Sequence, residues 1–234
     1  MTTKMVSAIA AALFLTGAAS AYVVPLVEEG KPRARLVLPA AASPGLIHAA
    51  GEIVSHVEQA TGAALPVGTE RGEGTNLVLQ VAPTAQQQRD SFRLETTPNE
   101  IRLVGASDGG TVFACYAFLE DLGFRWLAPE ESCTVIPKTT TLGYPETDRT
   151  ETPGFTDRFF YVRSDEGMLW ALRNRLNGFH TKEFAEAHGD LTYLPPHLSS
   201  IHSLAQNLPP EQYFATHPEY YSLIGGKRVP AQAL

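Results

Sequence analysis

Two stretches of the chain, 44–61 and 108–122, each carry an apolar stripe at helical spacing, and the β-like runs around them leave few ways to bury both stripes. In the first, Leu46, Ala50, Ile53, Val57 and Ala60 recur at steps of four and three, after Ser43-Pro44 and before Gly62. That is an N-cap, a proline at the first helical position, one apolar face and a glycine stop. The polar face carries His48, Glu52 and Glu58. His48 and His56 read as solvated or packed side chains, because no Cys or acidic partner stands at metal-ligand spacing. In the second stretch Val112, Cys115, Tyr116, Leu119 and Leu122 line one face between a Ser107 or Asp108 cap and Gly123. Residues 34–38 read as a short strand, and 76–81, 91–96 and 100–104 as further β runs, with Thr97-Pro98-Asn99 as a turn between the last two. The order β, α, β-rich hairpin, α, β predicts an α/β chain that opens with a small α+β, sandwich-like domain over 32–145. Its sheet is covered on one face by two helices, each burying its stripe.

The first 21 residues have another character. Lys4 precedes an apolar run from Met5 through Leu15 to Ala18, and Ala19-Ser20-Ala21 is a small-x-small cleavage site. This is a secretory signal peptide, cleaved after Ala21. The run is shorter than the roughly 20 residues that a membrane-spanning helix needs. The expectation is therefore a secreted or periplasmic protein with no membrane span once the leader is gone. Removing 21 residues from 234 leaves 213, enough for two modest domains. The net charge of −7 becomes −8 without Lys4, with acidic and basic residues mixed along the chain, which argues against nucleic acid as a partner. Cys115 and Cys133 are the only cysteines, so no disulfide framework is present, and Cys115 reads as a buried free thiol within an apolar pattern.

Residues 143–153, rich in Pro, Thr and charge, read as a connector. Beyond it 159–162 is a buried-strand candidate and 168–176, with Trp170 and Leu172, a helix; from His180 onward Pro195-Pro196, Pro209-Pro210 and Pro218 break every candidate helix. A (β/α)8 TIM barrel takes about 250 residues. Only 82 remain over 153–234, so this segment is expected to be the truncated start of such a barrel. Tyr213, Phe214, Tyr220 and Tyr221 have no core to enter within it, which favours one part of a longer protein over a whole protein ending in an extended arm.

The pattern Ile101-x-Leu-x-Gly105-x-Ser-x-x-Gly110, followed by Tyr116-x-Phe-Leu-Glu120-x-Leu-Gly123-x-Arg125-Trp126-x-x-Pro129, resembles the N-terminal domain of bacterial α-glucuronidases. The same accessory domain precedes the barrel in glycoside hydrolase family 20 hexosaminidases. The later stretch His202-Ser203, Pro210-x-x-Tyr213-Phe214-x-x-His217-Pro218-Glu219-Tyr220-Tyr221 and Gly226-Lys227-Arg228 is similar to the bacterial family called domain of unknown function 4838 (DUF4838). Together the two resemblances cover most of residues 32–234. They imply a glycosidase-type barrel with its active site at the carboxyl ends of the strands. The implied activity is hydrolysis of glycosidic bonds in a polysaccharide or glycan; the alternative is a non-catalytic glycan-binding or surface protein of the same fold.

Glycoside hydrolysis usually takes two carboxylates flanking the scissile bond. In the resembled hydrolases these come from middle or late strands, so Asp157, Asp165, Glu166 and Asp190 are expected to be solvated loop charges and this chain alone to be inactive. An arginine near the first strand holds sugar hydroxyls in family 20 enzymes. Arg158 is the matching position, followed by Phe159 where that family has glycine, with Arg163 as second choice. The other reading of Arg158 is a salt-bridged residue at the barrel's lower rim. His202, on a loop, is a candidate sugar contact or a loop cap. Trp170, Tyr220 and Tyr221 are candidates for stacking on a pyranose or for packing. Five of seven histidines fall in the last third, but without an H-E-x-x-H motif or short Cys and His spacing. No metal and no cofactor are therefore expected, with a zinc hydrolase as a minor rival.

Overall fold

Alternation along the central runs sends successive side chains to opposite faces, and that sorting builds the sheet. The structure is a computed structural model, and it describes residues 22–83, 88–160, 162, 164–179, 181–189, 191–193 and 207–230. The leader read over 1–21 lies outside them. Strands β1 (Val23–Glu28), β2 (Lys31–Pro32) and β3 (Ala34–Val37) precede helix α1 (Pro44–Thr61). Then come β4 (Val67–Gly68), β5 (Thr75–Val81), the hairpin β6 (Phe92–Thr97) and β7 (Glu100–Gly105), and helix α2 (Asp108–Asp121). β8 (Arg125–Trp126), β9 (Thr134–Val135), β10 (Leu142–Pro145) and β11 (Asp148–Glu151) complete this unit. The main sheet has the order β11-β6-β7-β5-β3-β4. β4, β3, β5 and β7 run parallel, and β6 is antiparallel to both of its neighbours. Leu36, Leu77, Leu79, Leu94, Ile101 and Leu103 are buried on the face that α1 and α2 cover.

The helix ends follow their sequence signals. The Ser43 hydroxyl accepts from the Leu46 amide at 3.2 Å, and Gly62 closes α1 at φ 76°, its N–H donating to the Glu58 carbonyl at 2.7 Å. The Ser107 hydroxyl accepts from the Gly110 amide at 3.1 Å and starts α2. α2 departs from the one-stripe expectation, since every residue from Gly109 to Leu119 is buried. The sheet, α1 and a later helix cover it on three sides, and a helix so placed is apolar all round.

The first unit is also larger than the sequence indicates. β1 pairs with β10, and the supposed connector supplies both β10 and β11, the latter pairing with β6. β11 reads Asp148-Arg149-Thr150-Glu151 because it is a solvent-facing edge strand, where charge is the usual protection.

The second unit holds helix α3 (Asp165–Arg173), β12 (Gly178–Phe179), α4 (Lys182–Ala187) and β13 (Thr192–Tyr193). Phe159 bridges Gly178 in parallel, β12 pairs with β13 in parallel, and a helix separates each pair in sequence. Of the strand expected to be buried at 159–162, the described Phe159 is 38% and Phe160 53% exposed, because among the described residues nothing covers that face fully. The helix expected over 168–176 begins earlier, where the Ser164 hydroxyl caps it, and ends before Arg175, whose φ is 57°. Residues 207–230 form a helical turn at Pro210–Tyr213, where proline takes the first helical position instead of breaking the helix, and the hairpin β14 (Leu223–Ile224) and β15 (Lys227–Arg228).

Candidate functional site

The polar face of α1 is where the two units meet. Glu52 accepts two hydrogen bonds from Arg173 of α3, at 2.8 and 3.0 Å. Burial raises the Glu52 carboxyl, but the hydrogen bonds and charge of Arg173 outweigh it and hold the group below the ordinary carboxylate range. One turn on, His56 Nδ1–H donates to the Glu52 carbonyl at 2.7 Å and Nε2 accepts from the Trp126 indole at 3.2 Å, which specifies a neutral ring in one tautomer. One turn back, His48 Nε2 is hydrogen-bonded to the Tyr116 hydroxyl at 2.7 Å, and its ring meets the edge of His188 at 4.6 Å. Burial pushes His48 down to about 4, against the pull of Glu52. The same burial raises the Tyr116 hydroxyl and the Cys115 thiol well above their ordinary values, so Cys115, a free thiol here, is a core residue.

Two more pairs cross the same seam. Arg175 pairs with Glu120 of α2. The Arg158 guanidinium donates to Asp90 at 2.9 Å, to the Arg175 carbonyl at 2.9 Å and to the Phe155 carbonyl at 3.0 Å, while Asn177 donates to Asp90 at 2.6 Å. In all three pairs the first unit supplies the carboxylate and the second the arginine. The seam closes further where Gly189, at φ 126°, sits so near Gly45 that a Cβ on Gly45 would lie 2.4 Å from its Cα. Only glycines permit that approach.

Of the residues singled out in the sequence, Arg158 stands at the amino-terminal edge of the parallel strands with three donors committed to protein. That geometry is a salt-bridged arginine. It lines a cleft of about 280 Å³ with Asp90, Phe113 and Arg175. Trp170 donates its indole N–H to the Trp126 carbonyl at 3.0 Å and meets Phe160 edge-on at 5.7 Å. Tyr220 is 52% exposed and stacks flat on His217 at 4.7 Å. His202 and Arg163 lie outside the described residues. The Glu52, His48 and His56 cluster was not legible as a seam, since their spacing on α1 is that of any solvated face. A second groove, of about 640 Å³, opens between α3 and α4 beside Asp165, Glu166, Glu183 and His188. Among the described residues no group of three or more His, Cys, Asp or Glu could hold a metal ion, and no helix is long and apolar enough to cross a membrane.

Comparison with known proteins gives two kinds of match. Residues 128–233 match the family described as a domain of unknown function, DUF4838. The structure is similar to a family GH115 4-O-methyl-α-glucuronidase with specificity for decorated arabinogalactans, at 15% identity and a TM-score of 0.56, over 71% of this chain and 29% of that one. It also matches the GH20 β-N-acetylhexosaminidase of Streptomyces coelicolor at 14% identity and a TM-score of 0.41, over 60% and 26% of the two chains. The N-acetyl-β-hexosaminidase of Streptomyces plicatus matches at 16% and 0.40, over 58% and 24%. The chain thus spans less than a third of the length of these solved neighbours. No curated protein matches the sequence.

Proposed function

We propose that the chain is the N-terminal part of an exported glycoside hydrolase that acts on a polysaccharide or glycan. Residues 153–234 are the opening of its (β/α)8 barrel, and the helix-covered sheet before them is an accessory domain. The observation that carries the reading is the parallel series Phe159, β12 and β13, with α3 and α4 between the strands, docked on a helix-covered sheet in a chain whose fold is similar to that of the α-glucuronidase. A strand and helix alternation of this kind places a site at the carboxyl ends of the strands. Arg158, at the opposite edge, acts here as a strut. The sugar contacts belong to Trp170, Tyr220 and His202, and the two reacting carboxylates to later strands.

The test is release of reducing sugar from xylan, arabinogalactan and chitin oligomers. The 213 residues that follow the leader should release none, and a longer product of the same reading frame should release sugar from at least one. Turnover by the 213-residue form overturns the division of labour. Glycan binding without release by the longer product supports the non-catalytic alternative.

A further inference from the structure

The described residues 207–230 are held together by their own bonds. The Tyr221 hydroxyl donates to the Leu208 carbonyl at 3.0 Å, its ring meets Phe214 edge-on at 5.2 Å, and Arg228 donates to the Tyr221 carbonyl at 2.7 Å. The His217 amide donates to the Tyr213 carbonyl at 2.7 Å, and Val229 N–H to the Ser222 carbonyl at 3.0 Å. Tyr221 is the buried member of the set. Its neighbour Tyr220 contributes its amide, which donates to the His217 carbonyl at 3.2 Å, but its ring is not buried as that of Tyr221 is. Instead its ring lies parallel to His217, 9° between planes, with half its surface in solvent.

We propose that His217, Glu219 and Tyr220 form a sugar-binding platform for a neutral pyranose unit of a glycan, a proposal that rests on the carbohydrate reading above. A ring stacked on one side keeps its other face at a set angle, and the C–H face of a pyranose is the apolar surface that such a ring can cover. Glu219 supplies the polar half. Its carboxylate lies 3.1 Å from His217 Nδ1, and its own backbone hydrogen bond and His217 hold it below the ordinary carboxylate range. A carboxylate that stays ionised accepts from sugar hydroxyls and repels another carboxylate. The platform therefore selects a neutral sugar over a uronate. The two aromatics sit three positions apart, on either side of Pro218 and Glu219, so the 3-10 turn Pro218–Tyr220 positions the whole set.

Affinity electrophoresis of the leaderless chain through gels containing hydroxyethylcellulose, galactomannan or polygalacturonate tests this. The parent should be retarded by at least one neutral polymer and not by polygalacturonate. Tyr220→Ala should weaken retardation about tenfold, and Tyr220→Phe should keep it, since the stacking face remains. Glu219→Gln should weaken it while leaving the ring in place, which guards against a folding defect in the alanine variant; far-UV circular dichroism should be unchanged in all three. If the parent is retarded and Tyr220→Ala equally so, the platform is wrong while the carbohydrate reading stands. Retardation by none of the neutral polymers, or stronger retardation by polygalacturonate, also overturns the platform, whereas the hydrolase reading is judged by sugar release alone.

Discussion

At the residue scale the most consequential group is His48. In the unfolded chain it titrates near 6.5, and in the folded protein burial holds it at about 4. Between those values the unfolded chain takes up a proton that the folded chain refuses, so the stability of the neutral ring is complete above pH 6.5 and is lost as pH falls toward 4. The size is about 3 kcal/mol, from about 1.4 kcal/mol per pH unit. Glu52, held below its ordinary value, acts in the same direction and is lost as pH falls through its folded value. The charged and titratable groups facing His48 are Glu52, His188, Arg173 and Tyr116. His48→Gln is expected to flatten urea stability between pH 6.5 and 4; an unchanged slope would remove His48 from this role. The sequence placed His48 and Glu52 on a polar helix face correctly. What it could not supply was the second unit lying across that face.

At the scale of the element, α2 carries the most weight, being buried on every side. Its start depends on Ser107, whose hydroxyl caps the Gly110 amide and also donates to the Arg89 carbonyl at 2.7 Å. Ser107→Ala should lower stability by about 1–2 kcal/mol, read as a shift in thermal midpoint. Gly45→Ala should be more severe, because the added methyl meets the Gly189 backbone and the Asp108 carboxylate, neither able to withdraw without parting α1 from the loop after α4. The helix ends at Ser43, Gly62 and Ser107 were legible because capping is a local transaction between a side chain and its own backbone. Strands β10 and β11 were not, since their partners β1 and β6 lie far away in sequence and an edge strand needs no apolar alternation.

At the scale of the whole molecule, three arginines of the second unit reach three carboxylates of the first, and this one-way charge pattern sets how the units register. Arg158→Met leaves the buried Asp90 carboxylate without its cation. That should cost about 2–4 kcal/mol, somewhat under the figure for a fully buried pair. Hydrogen exchange should locate the effect: amides of α3 and β12 lose protection while those of β5 and β7 keep it. Equal loss in both units would mean that the seam is not the cooperative boundary.

The sequence by itself determined both major helices, the α2 end at Gly123, the β6–β7 hairpin and the mixed α/β class, because each rests on periodicity or on a cap within a few residues. It also carried the resemblance that the DUF4838 match over 128–233 bears out. Only the tertiary structure decided that α1's polar face is a docking surface, that Arg158 is tied to Asp90, and that Tyr221 is buried while Tyr220 is exposed. Adjacent tyrosines have the same chemistry, and which of them meets water depends on how the chain folds back on itself, information that no local pattern contains.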